Sequence, residues 1–154
     1  MFRQRMEYLR SGPSEECFLC ADAATDELEA NFILERNDQC LVVLNRYPYN
    51  TGHLLVSPLR HLSDLEELTQ TELDQMMHST MKGMAALRAA MAAEGFNVGA
   101  NLGSAAGAGV PGHLHLHVVP RWSGDTNLMP VLADTKVLPE NLDQTYRRLR
   151  PHFD

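Results

Sequence analysis

No stretch of this chain approaches the roughly 18 to 20 consecutive apolar residues that a membrane span requires, so no membrane partner is expected. The first residues, Met1-Phe2-Arg3-Gln4-Arg5-Met6-Glu7, lack the apolar core of a secretory leader, and a cytoplasmic location is the expectation. Positive charge is scarce: 13 Lys and Arg stand against 20 Asp and Glu, a formal net charge of -7. Binding to a nucleic-acid polymer runs on Lys and Arg that neutralise phosphates, so that class is not expected either. A small phosphorylated ligand stays open, because backbone amides and imidazoles can hold one phosphate chain inside an acidic protein. Cysteine is sparse and odd in number, at three, which argues against a disulfide framework. Cys40 lies in an apolar run and reads as a small buried residue. Cys17 and Cys20 form a C-x2-C.

What the chain does have is Gly112-His113-Leu114-His115-Leu116-His117-Val118-Val119-Pro120, where histidine and an aliphatic residue alternate. On a strand, residues i, i+2 and i+4 share a face. His113, His115 and His117 would line one face, and Leu114, Leu116 and Val118 would pack on a core. Imidazole titrates near neutral pH, attacks electrophiles and binds metals. Phosphoryl chemistry suits such a row, since a histidine nucleophile needs neighbours that stabilise developing negative charge.

The remaining pattern points to an α+β domain over residues 1–154. Strands are expected at Phe32–Arg36, Cys40–Asn45, His53–Ser57, Phe96–Leu102 and the histidine segment, giving a mainly antiparallel five-stranded sheet. Asn37-Asp38 makes the first turn. A short helix over residues 1 to 12 is broken by Ser11-Gly12-Pro13, and residues 21 to 30 read as a surface loop or a poor helix. Capping boxes at Ser63/Glu66 and Thr69/Glu72 open a short and a long helix, the latter stopped by Glu94-Gly95. Its stripe of Leu73, Met76, Met77, Thr80, Met81, Met84, Leu87 and Met91 reads as core packing. After an apolar stretch from Leu128 to Leu138, Pro139 opens a terminal helix.

Three further features carry chemistry. The loop Gly103-Ser104-Ala105-Ala106-Gly107-Ala108-Gly109-Val110 leads into the histidines, and its small residues would let backbone amides approach an anion. Asn45 and His53 sit on consecutive strands, where Asn45 can meet a ribose or serve as a turn residue and His53 can join the imidazole face. The C-x2-C supplies two thiolates of a tetrahedral zinc site, for which His61 and His113 are candidate partners. A redox C-x2-C would need a thioredoxin-like βαβ context that is absent.

Together these residues resemble the histidine triad (HIT) family. Its signature His-φ-His-φ-His-φ-φ, with φ apolar, is matched by His113 to Val119 at every position, and Asn45 to His61 is similar to its upstream block. Asn101-Leu102-Gly103 matches the strand before the loop, so the resemblance covers about residues 17 to 122, with 123–154 as an extension. The extension's start, Pro120 to Asn127, resembles a bacterial branch that includes diadenosine tetraphosphate phosphorylases. The resemblance implies nucleotidyl transfer or hydrolysis at an α-phosphate of a dinucleoside polyphosphate or another nucleotide conjugate. His115 would form a nucleotidyl-histidine, and His117 and His53 would contact the phosphate. Asn45 would hold the ribose, Asn101 the phosphate or leaving group, and Val43 and Leu55 would wall a base pocket. The amides of Gly107, Ala108 and Gly109 would receive phosphate oxygens. Some members carry zinc through residues that here are Cys17, Cys20, His61 and His113, and the family fold implies a homodimer. A magnesium requirement is left open.

One departure matters. Many members carry Gly-Gln-Ser or Gly-Gln-Thr before the triad, whereas here the stretch reads Ala108-Gly109-Val110-Pro111-Gly112, without a hydroxyl. A good leaving group such as a polyphosphate is therefore expected over an amide-linked one. Two other readings fit the same residues: a hydrolase whose triad histidines hold a catalytic zinc, and a nucleotide-binding module with little catalysis.

Overall fold

The computed structural model describes residues 17–110, 112–126, 132 and 140–154. The elements in chain order are α1 (Phe18–Ala24), β1 (Ile33–Arg36), β2 (Cys40–Leu44), β3 (Leu54–Pro58), α2 (Gln70–Met91), β4 (Gly95–Gly99), β5 (Leu116–Arg121) and α3 (Leu142–Leu149). The five strands form one antiparallel sheet in the order β1-β2-β3-β5-β4. This is the α+β architecture expected from the pattern, with the long helix crossing from β3 to β4.

Register decides what each face of the sheet carries. Val43 pairs with Leu55, Leu55 with His117, and His117 with Gly99. Directly paired residues point the same way, so these four form a row across one face. The opposite face holds Val42, Leu44, Leu54, Val56 and Val118, all fully buried with Met76 and Leu87 of α2. Burying each such side chain contributes about 1.5 to 3 kcal/mol. Gly83 brings α2 close to the sheet: a Cβ there would stand 2.8 Å from Leu54 Cδ1.

Helix α2 starts as expected, with Thr69 and Glu72 forming a reciprocal capping box. Arg60 donates to both oxygens of Glu72, at 2.9 and 2.8 Å, which ties the loop after β3 to the helix start. The methionine stripe is only partly core. Met76, Thr80 and Leu87 are buried and Met84 and Met91 pack against the core, but Leu73, Met77 and Met81 are exposed at 40%, 45% and 64%. Ser79, Gly83 and Ala86 share the buried side instead.

Several boundaries shift. Of residues 21 to 30, read as a surface loop or a poor helix, 21–24 are helical as the end of α1, and the short 3-10 turn at Leu65–Glu67 is capped by Asp64 with Glu67, not by Ser63 with Glu66. Strand β4 stops at Gly99, short of Leu102, and α3 begins at Leu142 with Asn141 as its cap. The expected helix over residues 1 to 12, Pro139, and most of the stretch from Leu128 to Leu138 lie outside the described residues. Helix α2 ends not at Glu94-Gly95 but at Ala92, whose φ of 52° and ψ of 40° are left-handed. A Cβ in that region costs about 1 kcal/mol, and glycine removes the strain. Ala92→Gly is therefore expected to raise Tm by about 2 to 4 °C in thermal unfolding. A lowered Tm would refute the strain.

Candidate active site

Strand β5 begins only at Leu116, so His113 and His115 precede it rather than belonging to it. The ladder stops because Leu116 pairs with Val56, and beyond it Leu114 N–H turns to Leu62 O at 2.7 Å. The two-residue alternation survives. Leu114 and Val118 are buried in the core under α2, with Leu116 packed against it. The imidazoles collect on the other side, the His115 and His117 ring centres 5.0 Å apart and those of His53 and His117 5.1 Å apart.

Hydrogen bonds set the tautomers. His115 Nδ1 lies 2.8 Å from the His113 carbonyl oxygen, and a carbonyl only accepts, so Nδ1 carries the proton. In the neutral ring the Nε2 lone pair is then available. Burial lowers the pKa of His115, which favours that neutral, nucleophilic form. Tyr49 N–H donates to His53 Nδ1 at 3.0 Å. Neutral His53 must therefore carry its proton on Nε2, which is 2.9 Å from His117 Nδ1. His117 accepts there and keeps its own proton on Nε2, as a donor. Tyr49 lies nearly parallel to the His117 ring, 17° off, at a centroid distance of 5.7 Å.

The other expected residues divide. Asn45 joins the site: its Nδ2 is 3.4 Å from His53 Nδ1, while its Oδ1 accepts from Tyr47 N–H as a turn residue would. Val43 and Leu55 flank His117 in the row but are covered, at 1% and 4% exposure, by a cluster containing Leu19, Ile33 and Leu41. Asn101 lines the cavity beside His117. The loop departs from expectation. Gly107 N–H donates to Ser104 O and Ala108 N–H to Gly103 O, because Ser104–Ala106 winds into a 3-10 turn between Gly103 and Gly107, both at positive φ. Those two amides are engaged inside the loop in this conformation.

Cys17, Cys20, His61 and His113 converge, with their ligand atoms all within 4.8 Å of one another. His113 Nδ1 is 3.1 Å from Cys17 Sγ and 3.4 Å from Cys20 Sγ, and His61 Nδ1 is 3.3 Å from Cys20 Sγ. Two thiols and two ring nitrogens at this spacing fit a closed tetrahedral zinc site. His113 Nε2–H donates to the Pro58 carbonyl at 2.9 Å, leaving Nδ1 as the ligand atom. Helix α1 delivers the thiols: Cys17 is its N-cap and Cys20 lies in its first turn.

Residue patterns did not reveal the strut behind the site. Asn50 Nδ2 donates to Pro120 O and to Asp125 Oδ2, and Arg121 grips both oxygens of Asp125. This ties the Tyr49–Asn50 turn to β5. The Arg-x-x-x-Asp spacing was the available signal.

A protein named AP-4-A phosphorylase from Mycobacterium tuberculosis is 44% identical over 121 residues, which are 79% of this chain and 62% of that relative's length. A bis(5'-nucleosyl)-tetraphosphatase (asymmetrical) from Schizosaccharomyces pombe is 35% identical over 82 residues, 53% of this chain and 44% of its own. The crystal structure of a Zn-bound histidine triad family protein from Mycobacterium smegmatis superposes with a TM-score of 0.73 at 29% identity, covering 92% of this chain and 95% of that one. The HIT domain profile matches residues 25–124, from just before β1 to the turn after β5, so the imidazole cluster and the sheet that carries it belong to a member of the HIT domain family.

Proposed function

We propose that this chain is a nucleotide hydrolase or transferase working at the α-phosphate of dinucleoside polyphosphates, with His115 as nucleophile. The observation that carries the reading is the bond from His115 Nδ1 to the His113 carbonyl at 2.8 Å, which leaves Nε2 as the attacking atom. Nε2 would form a bond to phosphorus as the bond to the bridging oxygen breaks, and the leaving group departs with that electron pair. Water or phosphate would then release the mononucleotide, water giving up a proton. His117, as an Nε2–H donor, and His53 behind it would stabilise the extra negative charge on phosphorus. Asn45 would receive the ribose, and Gly109 with its neighbours the phosphate oxygens once the loop adjusts.

Zinc held by Cys17, Cys20, His61 and His113 would be structural, bracing the segment that carries the nucleophile. The names of the two relatives, a phosphorylase and a tetraphosphatase, support polyphosphate-linked dinucleotides as the substrate class. A homodimer follows from the same family reading.

Mass spectrometry of products from a panel of mono- and dinucleoside polyphosphates, with and without inorganic phosphate, tests this. The zinc-loaded protein should release a nucleoside monophosphate in water or a nucleoside diphosphate with phosphate. It should turn over a dinucleoside polyphosphate faster than an adenosine phosphoramidate, because the stretch Ala108 to Gly112 before the triad carries no hydroxyl to protonate an amine. Much faster amide cleavage, or nucleotide left intact over days, would reject the reading.

A further inference from the structure

His53 is oriented by the turn that precedes it. Its own N–H donates to the Asn50 carbonyl oxygen at 3.2 Å, and the Tyr49 N–H reaches its ring at Nδ1, at 3.0 Å. One peptide amide therefore decides how two rings are polarised. With Nδ1 accepting, His53 Nε2–H donates to His117 Nδ1 and His117 keeps a proton on Nε2. Were that amide to move away, the reverse arrangement would open. His117 Nδ1–H would then donate to His53 Nε2, and His117 Nε2 would carry a lone pair. A donor attracts the charge that builds on the phosphate oxygens in the transition state, and a lone pair repels it.

The amide is held through the side chain of Asn50, which is 5% exposed. Its Nδ2 is 2.9 Å from the Pro120 carbonyl oxygen and 2.8 Å from Asp125 Oδ2. Both partners only accept, which settles the orientation of the side-chain amide. Pro120 is three residues beyond His117 on β5, about 10 Å along the strand. Asn50 thus ties the turn to the strand whose ring His53 has to meet. Asp125 is itself fixed: Arg121 Nε and Nη2 donate to its two oxygens at 2.6 and 2.9 Å, and Trp122 N–H donates to Oδ2 at 3.2 Å. The Arg121 bonds hold the Asp125 carboxyl well below the usual carboxylate range, so it stays an acceptor at neutral pH. From the other side the turn meets α2, where a Cβ on Gly52 would stand 2.8 Å from Leu87 Cδ2. Helix and strand together leave the Tyr49 amide one place to point.

We propose that Asn50, anchored by Asp125, is a positioning residue that fixes the tautomers of His53 and His117, so that His117 meets the reacting phosphate as a donor. The proposal rests on nucleotidyl transfer at His115, but its own content is where the protons sit on two other rings.

Nitrogen NMR of isotope-labelled imidazoles in the zinc-loaded protein reads those protons without turnover. At about pH 8, above the ordinary imidazole range, the wild type should show His53 and His117 both protonated on Nε2. Asn50→Ala should show mixed tautomers at both rings, with kcat for a dinucleoside tetraphosphate lower by about tenfold or more and KM within about threefold. Asp125→Asn keeps an oxygen for Asn50 but loses the charge. It should shift the rings the same way to a smaller extent, with kcat lower by about threefold, and it carries the test alone if Asn50→Ala does not fold. Wild-type tautomers in either folded variant, full kcat in Asn50→Ala, or a raised KM at constant kcat would overturn the proposal. Failure of the underlying reading looks different: His115→Ala would then still turn over the substrate, whatever the rings of Asn50→Ala show.

Discussion

His115→Ala and His115→Asn are expected to abolish turnover, with kcat lower by a factor on the order of 10⁴ or more. Nucleotide affinity should stay within about threefold of wild type, since the ring supplies the attacking atom and little of the ground-state binding. The asparagine variant is the sharper test, because its amide can still donate to the His113 carbonyl and keep the segment in place. Single-turnover kinetics with a labelled dinucleoside tetraphosphate, and calorimetric titration of a non-hydrolysable analogue, read the two quantities. Full activity in either variant would end the nucleotidyl-histidine reading. A binding module without catalysis predicts no turnover in the wild type either, so the same experiment separates it.

The second large effect is on stability. Serine at both Cys17 and Cys20, or chelation of the metal, is expected to lower Tm by roughly 10 °C, because zinc binding is coupled to folding. Burial and the Cys17 thiol beside it push the Cys20 thiol pKa up. Without metal, α1 loses its tie to His61 and His113, and metal binding has to displace protons from the thiols. Activity should decline in step with the loss of structure. A hydrolase with a catalytic zinc would behave in the opposite way, losing activity at once on chelation with its Tm unchanged and regaining it on adding metal. Zinc content by elemental analysis should be one per chain, absent from the double serine variant.

Much of the sheet was legible in the residues. Cys40–Leu44 is an unbroken apolar run and Leu54–Pro58 is interrupted only by Ser57, both buried on both faces, and the alternating histidines needed only a period of two. Helix α1 was not legible: Cys17 makes no side-chain capping bond, and no charged residue stands in the first turn. Its Leu19 is wholly buried in the cluster with Val43 and Leu55, so packing rather than local preference makes it helical. Both Ser63 and Asp64 fit a cap, and only the bonds of Glu67 to the Ser63 and Asp64 amides show how the turn is closed. The convergence of Cys17, Cys20, His61 and His113 was legible through their family spacing. The Arg121–Asp125–Asn50 strut was not, because it depends on β5 lying against a turn 70 residues earlier.

Strand β5 is the last strand among the described residues yet sits between β3 and β4, and the His53–His117 contact spans 64 residues. Until β5 inserts, β4 has no neighbour to pair with and the far edge of β3 is bare. Such non-local closure is slow, and it makes the growing polypeptide chemically silent: emerging from the ribosome, it cannot assemble the reactive imidazole cluster before the sheet itself is complete.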